Sequence, residues 1–305
     1  MKLNLFLYGF VVLIWGTTWQ AITLQQRSFI APEVAVFWRF LIASLLLFIV
    51  LILFKKLKKI PKQAHLLCLL QGCCIFGFNF LCFYYAVHYI NSGLEAIIFS
   101  LAVLFNAINS RIFFKQSISP RFYFSALLGI SGIVALFWHD IYGTHFKPDV
   151  LFGIVLCLMG TCGFSLGNML SVQHQKQGRD IFTTTAYAML YGAMIMLSLC
   201  LILGKNLLPQ VQVISQLSIL YLAIFGSVIG FCTYFILVGR IGASNAAYST
   251  LLFPLVALII STMMDGYVWT VNAVFGIGLI LLGNAVFFIK FKRFAWFKSK
   301  QAING

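Results

Sequence analysis

Ten apolar stretches, each near the length of a membrane-spanning helix, follow one another with almost no room between them. They run over about 3–23, 33–54, 64–86, 92–114, 122–138, 150–173, 181–203, 215–238, 243–264 and 269–289. A hydrocarbon core of about 30 Å takes roughly 20 helical residues, and backbone in lipid must satisfy its own polar groups, which a helix does within one segment. The expected fold class is therefore an all-α polytopic membrane protein with ten transmembrane helices. The balance of 62% hydrophobic against 9% charged residues leaves no alternative as a soluble domain. No connection is long enough for a soluble domain either, the longest polar ones being 139–149 and the stretch around 204–215. The first segment follows Lys2 and has the length of a signal peptide. Trp15, Trp19 and Gln20 stand where a small-residue cleavage site would be needed, so it is expected to be a retained helix.

A net charge of +15 would suggest nucleic acid in a soluble protein, but here the basic residues are sorted by side of the membrane. With the N-terminus inside, 17 of the 21 Lys and Arg fall in cytoplasmic segments, three (Arg27, Lys147, Lys205) fall outside, and Arg39 lies within a helix. The positive-inside rule thus puts both termini in the cytoplasm, as an even helix count requires. The partners expected are the lipid bilayer and a small-molecule substrate, with no nucleic acid. The eight cysteines all lie inside apolar segments without a C-x-x-C, so they read as packing residues rather than a disulfide framework or a metal site.

The chain also reads as built twice. The run 92–114, SGLEAIIFSLAVLFNAINSRIFF, returns in degenerate form 151 residues later as ASNAAYSTLLFPLVALIISTMM from 243. The same offset pairs Gly9 with Gly160, Gly16 with Gly167, Phe83 and Tyr84 with Tyr234 and Phe235, and Gly132 with Gly283. Each copy holds five helices, an odd number, so the second must enter the membrane from the opposite side. The organisation expected is a first repeat over 1–138, an extracytoplasmic connection over 139–149, a second, inverted repeat over 150–289 and a basic cytoplasmic tail over 290–305.

Polar side chains within apolar helices mark the candidate site, because they are costly there unless they bind something. Trp15, Thr17 and Gln20 cluster in helix 1. Arg39 is about two turns into helix 2, where it either faces a pathway or snorkels outward. Asn79 and Tyr84 lie on helix 3, and Ser100 on helix 4. Glu95 fits two readings: Ser92-x-x-Glu95 makes a capping box, and an inward carboxylate can pair with Arg39 or bind a cationic group. Asn168, Tyr191, Tyr234 and Tyr248 are the candidates of the second copy. Pro254 interrupts the backbone ladder of helix 9 where Val103 stands in the first copy, which makes helix 9 the more mobile partner.

These residues resemble the drug/metabolite transporter superfamily, in particular its ten-helix EamA-type permeases. The resemblance is carried by W-G-T-T-W at 15–19, P-E-V-A-V-F-W-R-F at 32–40, F-Y-Y-A-V-H-Y-I-N-S-G-L-E-A at 83–96 and the helix 9 run with Pro254. It implies a secondary transporter of small metabolites, amino acids or amines, frequently outward across a bacterial inner membrane. Its central cavity would be built by both copies, with Trp15, Thr17, Tyr84, Ser100, Asn168, Tyr234 and Tyr248 mapping onto it. The chain departs from the family pattern at Gln116 and near Tyr267, where an acid is common, and at Val103, where a proline is.

The leading expectation is an exporter of a small amino acid or amine working by alternating access, as a monomer or weak dimer and without a cofactor. A channel or a lipid-handling or structural membrane subunit is the alternative. An enzyme is disfavoured because His65, His88, His139, His145 and His174 all fall at helix ends or in loops, and no nucleophile, zinc-protease or phosphate-loop motif occurs.

Overall fold

The apolar runs form helices over nearly the bounds their hydropathy suggests, extended by a turn where the hydrogen-bond ladder continues into polar residues. In the computed structural model, which describes residues 2–26, 30–115, 117–118, 120–138, 148–210, 212–246, 249–266 and 269–288, all regular structure is helical. The helices are α1 (Lys2–Gln26), α2 (Pro32–Leu53), α3 (Lys62–Ala86), α4 (Ser92–Phe114), α5 (Arg121–Leu136), α6 (Pro148–Lys176), α7 (Ile181–Ile202), α8 (Val213–Ile241), α9 (Ser249–Met264) and α10 (Val271–Phe288). A single turn, Ala243–Ala246, precedes α9. Among the described residues seven helices are long and apolar enough to cross a membrane, while α5, α9 and α10 supply shorter apolar spans. The chain is a multi-pass membrane protein.

Its surface is apolar and its interior partly polar. Leu45, Ile49 and Leu53 of α2, Leu201 and Ile202 of α7 and Val274 and Phe275 of α10 point outward, whereas Asn106, Thr161, Ser165 and Asn168 are fully buried. That inversion suits a lipid solvent, which makes no demand for a polar exterior.

Three local features depart from the sequence expectation. The helix 92–114 is interrupted at Ser100 and Leu101, giving Ser92–Phe99 and Ala102–Phe114. Here the Ser100 hydroxyl donates to the Ile97 carbonyl at 2.6 Å, the back-bonding by which a hydroxyl competes with the helix ladder. The break thus occurs in α4, which has no proline, while Pro254 is accommodated inside α9. The capping box at Ser92 does not form. Asn91 is the N-cap, its Oδ1 accepting from the Leu94 amide at 3.0 Å, and Ser92 turns its hydroxyl elsewhere. Finally, α3 and α8 each contain a π-helical segment, Gly72–Phe78 and Leu222–Ile229. The two are related by the same offset of 151 that relates the apolar runs.

Packing obeys that offset as well. α1 lies against α8 and α9, and their counterparts α6, α3 and α4 meet likewise; α2 packs on the π segment of α8 as α7 does on that of α3. The self-paired contacts are α2 with α7 and α5 with α10. In the last pair Gly132 faces Gly276 and Ile280, and Gly283 faces Ser125 and Gly129, each contact being the other shifted by 151. A Cβ on Gly132 would stand 2.6 Å from Ile280, so this crossing depends on glycine.

The N-terminal start of α1 meets the end of α8, where Arg240 donates to Asn4 at 2.8 Å. We call this the near end of the bundle. The far end carries the start of α4 and the end of α9, joined by Ser92 and Asp265.

Candidate functional site

A buried cavity lies in the middle of the bundle, walled by Trp15, Thr18, Trp19 and Ile22 of α1, Arg39 of α2, Asn79, Phe80 and Phe83 of α3, Phe99 of α4, Phe164 of α6, Phe231 of α8 and Phe253 of α9. It has room for about 40 Å³ of water-sized groups. Since one water needs roughly 10–15 Å³ on that measure, a few waters fit in this conformation, and a metabolite enters only if the surrounding helices part. Larger clefts of about 460 Å³ lie at each end, the near one around Phe114, Gln175 and Lys176 and the far one around Thr23, His88, Ser92 and Asp265.

Helical spacing explains how so many rings converge. Trp15 and Trp19 are one turn apart on α1, Phe76, Phe80 and Phe83 follow one face of α3, and Phe164 and Asn168 are one turn apart on α6. The Trp15 ring sits 4.9 Å from Tyr234 and 5.1 Å from Phe231; Trp19 sits 5.0 Å from Phe83 and 5.6 Å from Phe99. Many of these contacts are tilted or edge-on, the arrangements that ring quadrupoles favour.

The π segments supply the polar fittings of this cavity. In α3 the Asn79 amide bonds Cys74 five residues back, leaving the Ile75 carbonyl to accept from Asn79 Nδ2 at 3.2 Å. In α8 the Gly230 amide reaches Phe225, and the Gly226 carbonyl accepts from Trp15 Nε1 at 3.2 Å. Ile75 and Gly226 are offset by 151, so the same backbone irregularity anchors a cavity side chain in each half. Such π turns recur at functional sites because they free a carbonyl in this way.

Arg39 is the only ionisable side chain that lines the cavity among the described residues. It is 2% exposed, donates from Nε to Ser227 Oγ at 3.0 Å and from Nη1 to the Tyr84 hydroxyl at 3.4 Å, and lies 4.2 Å over the ring of Phe80. Tyr84 in turn donates to Gln25 Oε1 at 2.8 Å. The anticipated ion pair with Glu95 is not made. Glu95 is fully buried, and neither of its carboxyl oxygens has a hydrogen-bond partner among the described residues.

Two hydrogen-bonded layers flank the cavity. At the far end Gln20 Nε2 donates to Asp265 Oδ1 at 2.9 Å, Ser92 Oγ to Asp265 Oδ2 at 2.8 Å and Ser261 Oγ to the same oxygen at 3.1 Å. At the near end Asn168 Nδ2 lies 3.3 Å from the Tyr234 hydroxyl and 3.4 Å from Asn106 Oδ1. Asn106 Nδ2 and Asn168 Oδ1 are left without partners among the described residues.

Of the sequence candidates, the structure gathers Trp15, Arg39 and Asn79 at the cavity, puts Gln20, Asn168 and Tyr234 in the flanking layers and sets Tyr84 between Arg39 and Gln25. Ser100 spends its hydroxyl on the α4 backbone beside Phe99. Thr17 faces another side of α1, where its hydroxyl meets that of Tyr221 at 2.5 Å over a lateral groove. Tyr191 bonds His65 Nδ1 at 2.8 Å next to Tyr187 on α7, and none of these three lines the cavity. Tyr248 lies outside the described residues. The rings of Phe80, Phe99, Phe164, Phe231 and Phe253 were not singled out from sequence; with 32 phenylalanines in the chain, their one signal was one-turn spacing from a polar candidate, as in Phe164 and Asn168. Cys68, Cys82, Cys157, Cys200 and Cys232 are buried free thiols. No group of three metal-ligating side chains occurs among the described residues.

The sequence profile of the EamA-like transporter family matches residues 3–138 and again 151–289. Among similar proteins, the uncharacterized transporter YyaM of Bacillus subtilis (strain 168) is 27% identical over 259 residues, 84% of each chain. Protein PagO of Salmonella typhimurium is 28% identical over 283 residues, 91% of this chain and 90% of its own. The uncharacterized inner membrane transporter YedA of Escherichia coli (strain K12) is 26% identical over 285 residues, covering 90% and 89%. One crystal structure superposes with a TM-score of 0.67 at 17% identity over 94% of this chain and 96% of that one, a likeness of fold alone.

Proposed function

Because the chain belongs to the EamA-like transporter family, we propose that it is a secondary transporter that carries a small metabolite of about amino-acid size by alternating access. The observation that carries this reading is the buried, ring-lined cavity with a hydrogen-bonded layer and a larger cleft toward either end. A pore would need a continuous path, and a carrier needs a site that each end can open in turn.

The finer architecture follows the same reading. Ten helices span the membrane as two inverted five-helix repeats, 1–138 and 150–289, joined by the 139–149 connection. This is supported by the offset of 151 that relates the π segments, the helix pairings and the glycine crossing of α5 and α10. Both termini are cytoplasmic, because the basic residues, including those of the 290–305 tail, gather on that side. The membrane is the inner, plasma membrane of a bacterium and the direction outward, as the family resemblance implies. The protein acts without a cofactor, as a monomer or weak dimer, and not as an enzyme.

Counterflow in proteoliposomes tests the proposal. Vesicles loaded with a panel of unlabelled amino acids, organic acids and amines are expected to accumulate one labelled class transiently. Non-selective leak of labelled solutes would replace the carrier by a channel.

A further inference from the structure

Every wall of the central cavity is apolar or neutral except for Arg39. A guanidinium stays protonated at any physiological pH, and one that is 2% exposed with no carboxylate in contact among the described residues is costly to keep. Ser227 and Tyr84 accept from two of its five N–H groups, and the ring of Phe80 covers one face. Among the described residues nothing accepts from the others. Much of the remaining wall is an aromatic box of Trp15, Trp19, Phe99, Phe164 and Phe253. One further polar atom is unspent: Asn79, 2% exposed, uses Nδ2 on Ile75 and leaves Oδ1 with no partner among the described residues.

We infer that the site is built for a small organic monocarboxylate with an apolar body and no fixed positive charge, its carboxylate on Arg39 and a neutral donor such as a 2-hydroxyl on Asn79 Oδ1. The inference rests on the transporter reading and narrows its substrate. The ranking follows from charge. A monoanion neutralises the buried cation, a zwitterion leaves one net positive charge in the box, and an amine makes two like charges share it. Ring faces do attract cations, but here the ring of Phe80 is already occupied by Arg39, whose repulsion an incoming ammonium would meet. The amino acids and amines expected from sequence therefore rank below their deaminated, acidic counterparts.

Four probes share one phenyl body and differ in charge: 3-phenylpropanoate, 3-phenyllactate, phenylalanine and 2-phenylethylamine. Titration calorimetry on the purified full chain is expected to place the two carboxylates about tenfold or more tighter than phenylalanine, and phenylalanine above the amine, each tenfold being one decade in Kd. Arg39→Gln should erase the difference between carboxylate and amine, and Arg39→Lys should keep its sign. Asn79→Asp adds an acid beside the cation and should bring phenylalanine above 3-phenyllactate; it serves as the test if Arg39→Gln fails to fold. The inference is overturned if the wild type binds the amine as tightly as the carboxylates, if no probe binds, or if neither Arg39→Gln nor Asn79→Asp changes the order. Counterflow of the same probes separates the two claims: carriage led by the amine sinks the substrate class alone, and ranked binding without counterflow sinks the transporter reading alone.

Discussion

The two layers that flank the cavity are built differently. The far one is centred on a carboxylate, Asp265, which receives three hydrogen bonds of 2.8–3.1 Å from α1, α4 and its own helix. The near one is neutral, with contacts of 3.3–3.4 Å among Asn106, Asn168 and Tyr234 and two amide atoms unused. Bonds to a charged acceptor contribute about 1.5–3 kcal/mol and neutral ones about 0.5–1.5 kcal/mol. The comparison teaches that the stronger hydrogen bonding of this conformation lies on the far side, while the near layer is a seam that parts with less work. In a carrier such an asymmetry biases which side the resting protein opens to.

Breaking the far layer should have the largest effect. Asp265→Ala strands the donors of Gln20, Ser92 and Ser261 together, a loss of a few kcal/mol by the magnitudes above. In inside-out and right-side-out vesicles, a membrane-impermeant thiol reagent applied from the far side is expected to label Ile22→Cys, which lines the cavity, at least about tenfold faster in this background. An unchanged rate would mean that the far bonds do not hold the site shut.

Tyr234→Phe probes the seam. It removes one neutral hydroxyl in a ring that keeps its packing on Trp15 and Phe164, so labelling of the same cysteine from the near side should rise by less than about tenfold. A near-side effect larger than that of Asp265→Ala on the far side would reverse the comparison.

The smallest change is expected at Tyr191, which bonds His65 away from both layers. Tyr191→Phe should shift Tm slightly, within about 0.5 kcal/mol of stability, and leave both labelling rates unaltered. An altered rate would extend the gating machinery to α7.

Legibility in the sequence ran along the helix axis and stopped at rotation about it. Asn79 and Asn168 stood out as costly polar residues, and the structure finds both buried and hydrogen-bonded at or beside the cavity. Thr17 looked equally costly but faces the lateral groove on α1, because nothing in WGTTWQ says which of two neighbouring threonines points inward. Thr18, the one not chosen, lines the cavity. The capping box at Ser92 was plausible locally, yet Asn91 caps the helix and frees Ser92 for Asp265, a partner 173 residues away.

By itself the sequence determined that the chain lives in lipid, roughly where its apolar helices lie, which flanks are basic and that its two halves resemble each other at an offset of 151. Those properties rest on local composition and on the length needed to cross a hydrocarbon core. Tertiary structure alone decided which face of each helix meets the cavity, that π turns free the carbonyls of Ile75 and Gly226, and that Arg39 bonds Ser227 and Tyr84 rather than Glu95. The physical reason is that lipid and protein interior are equally apolar, so hydrophobic periodicity carries no rotation signal in such a chain. Only packing against the other half orients the helices.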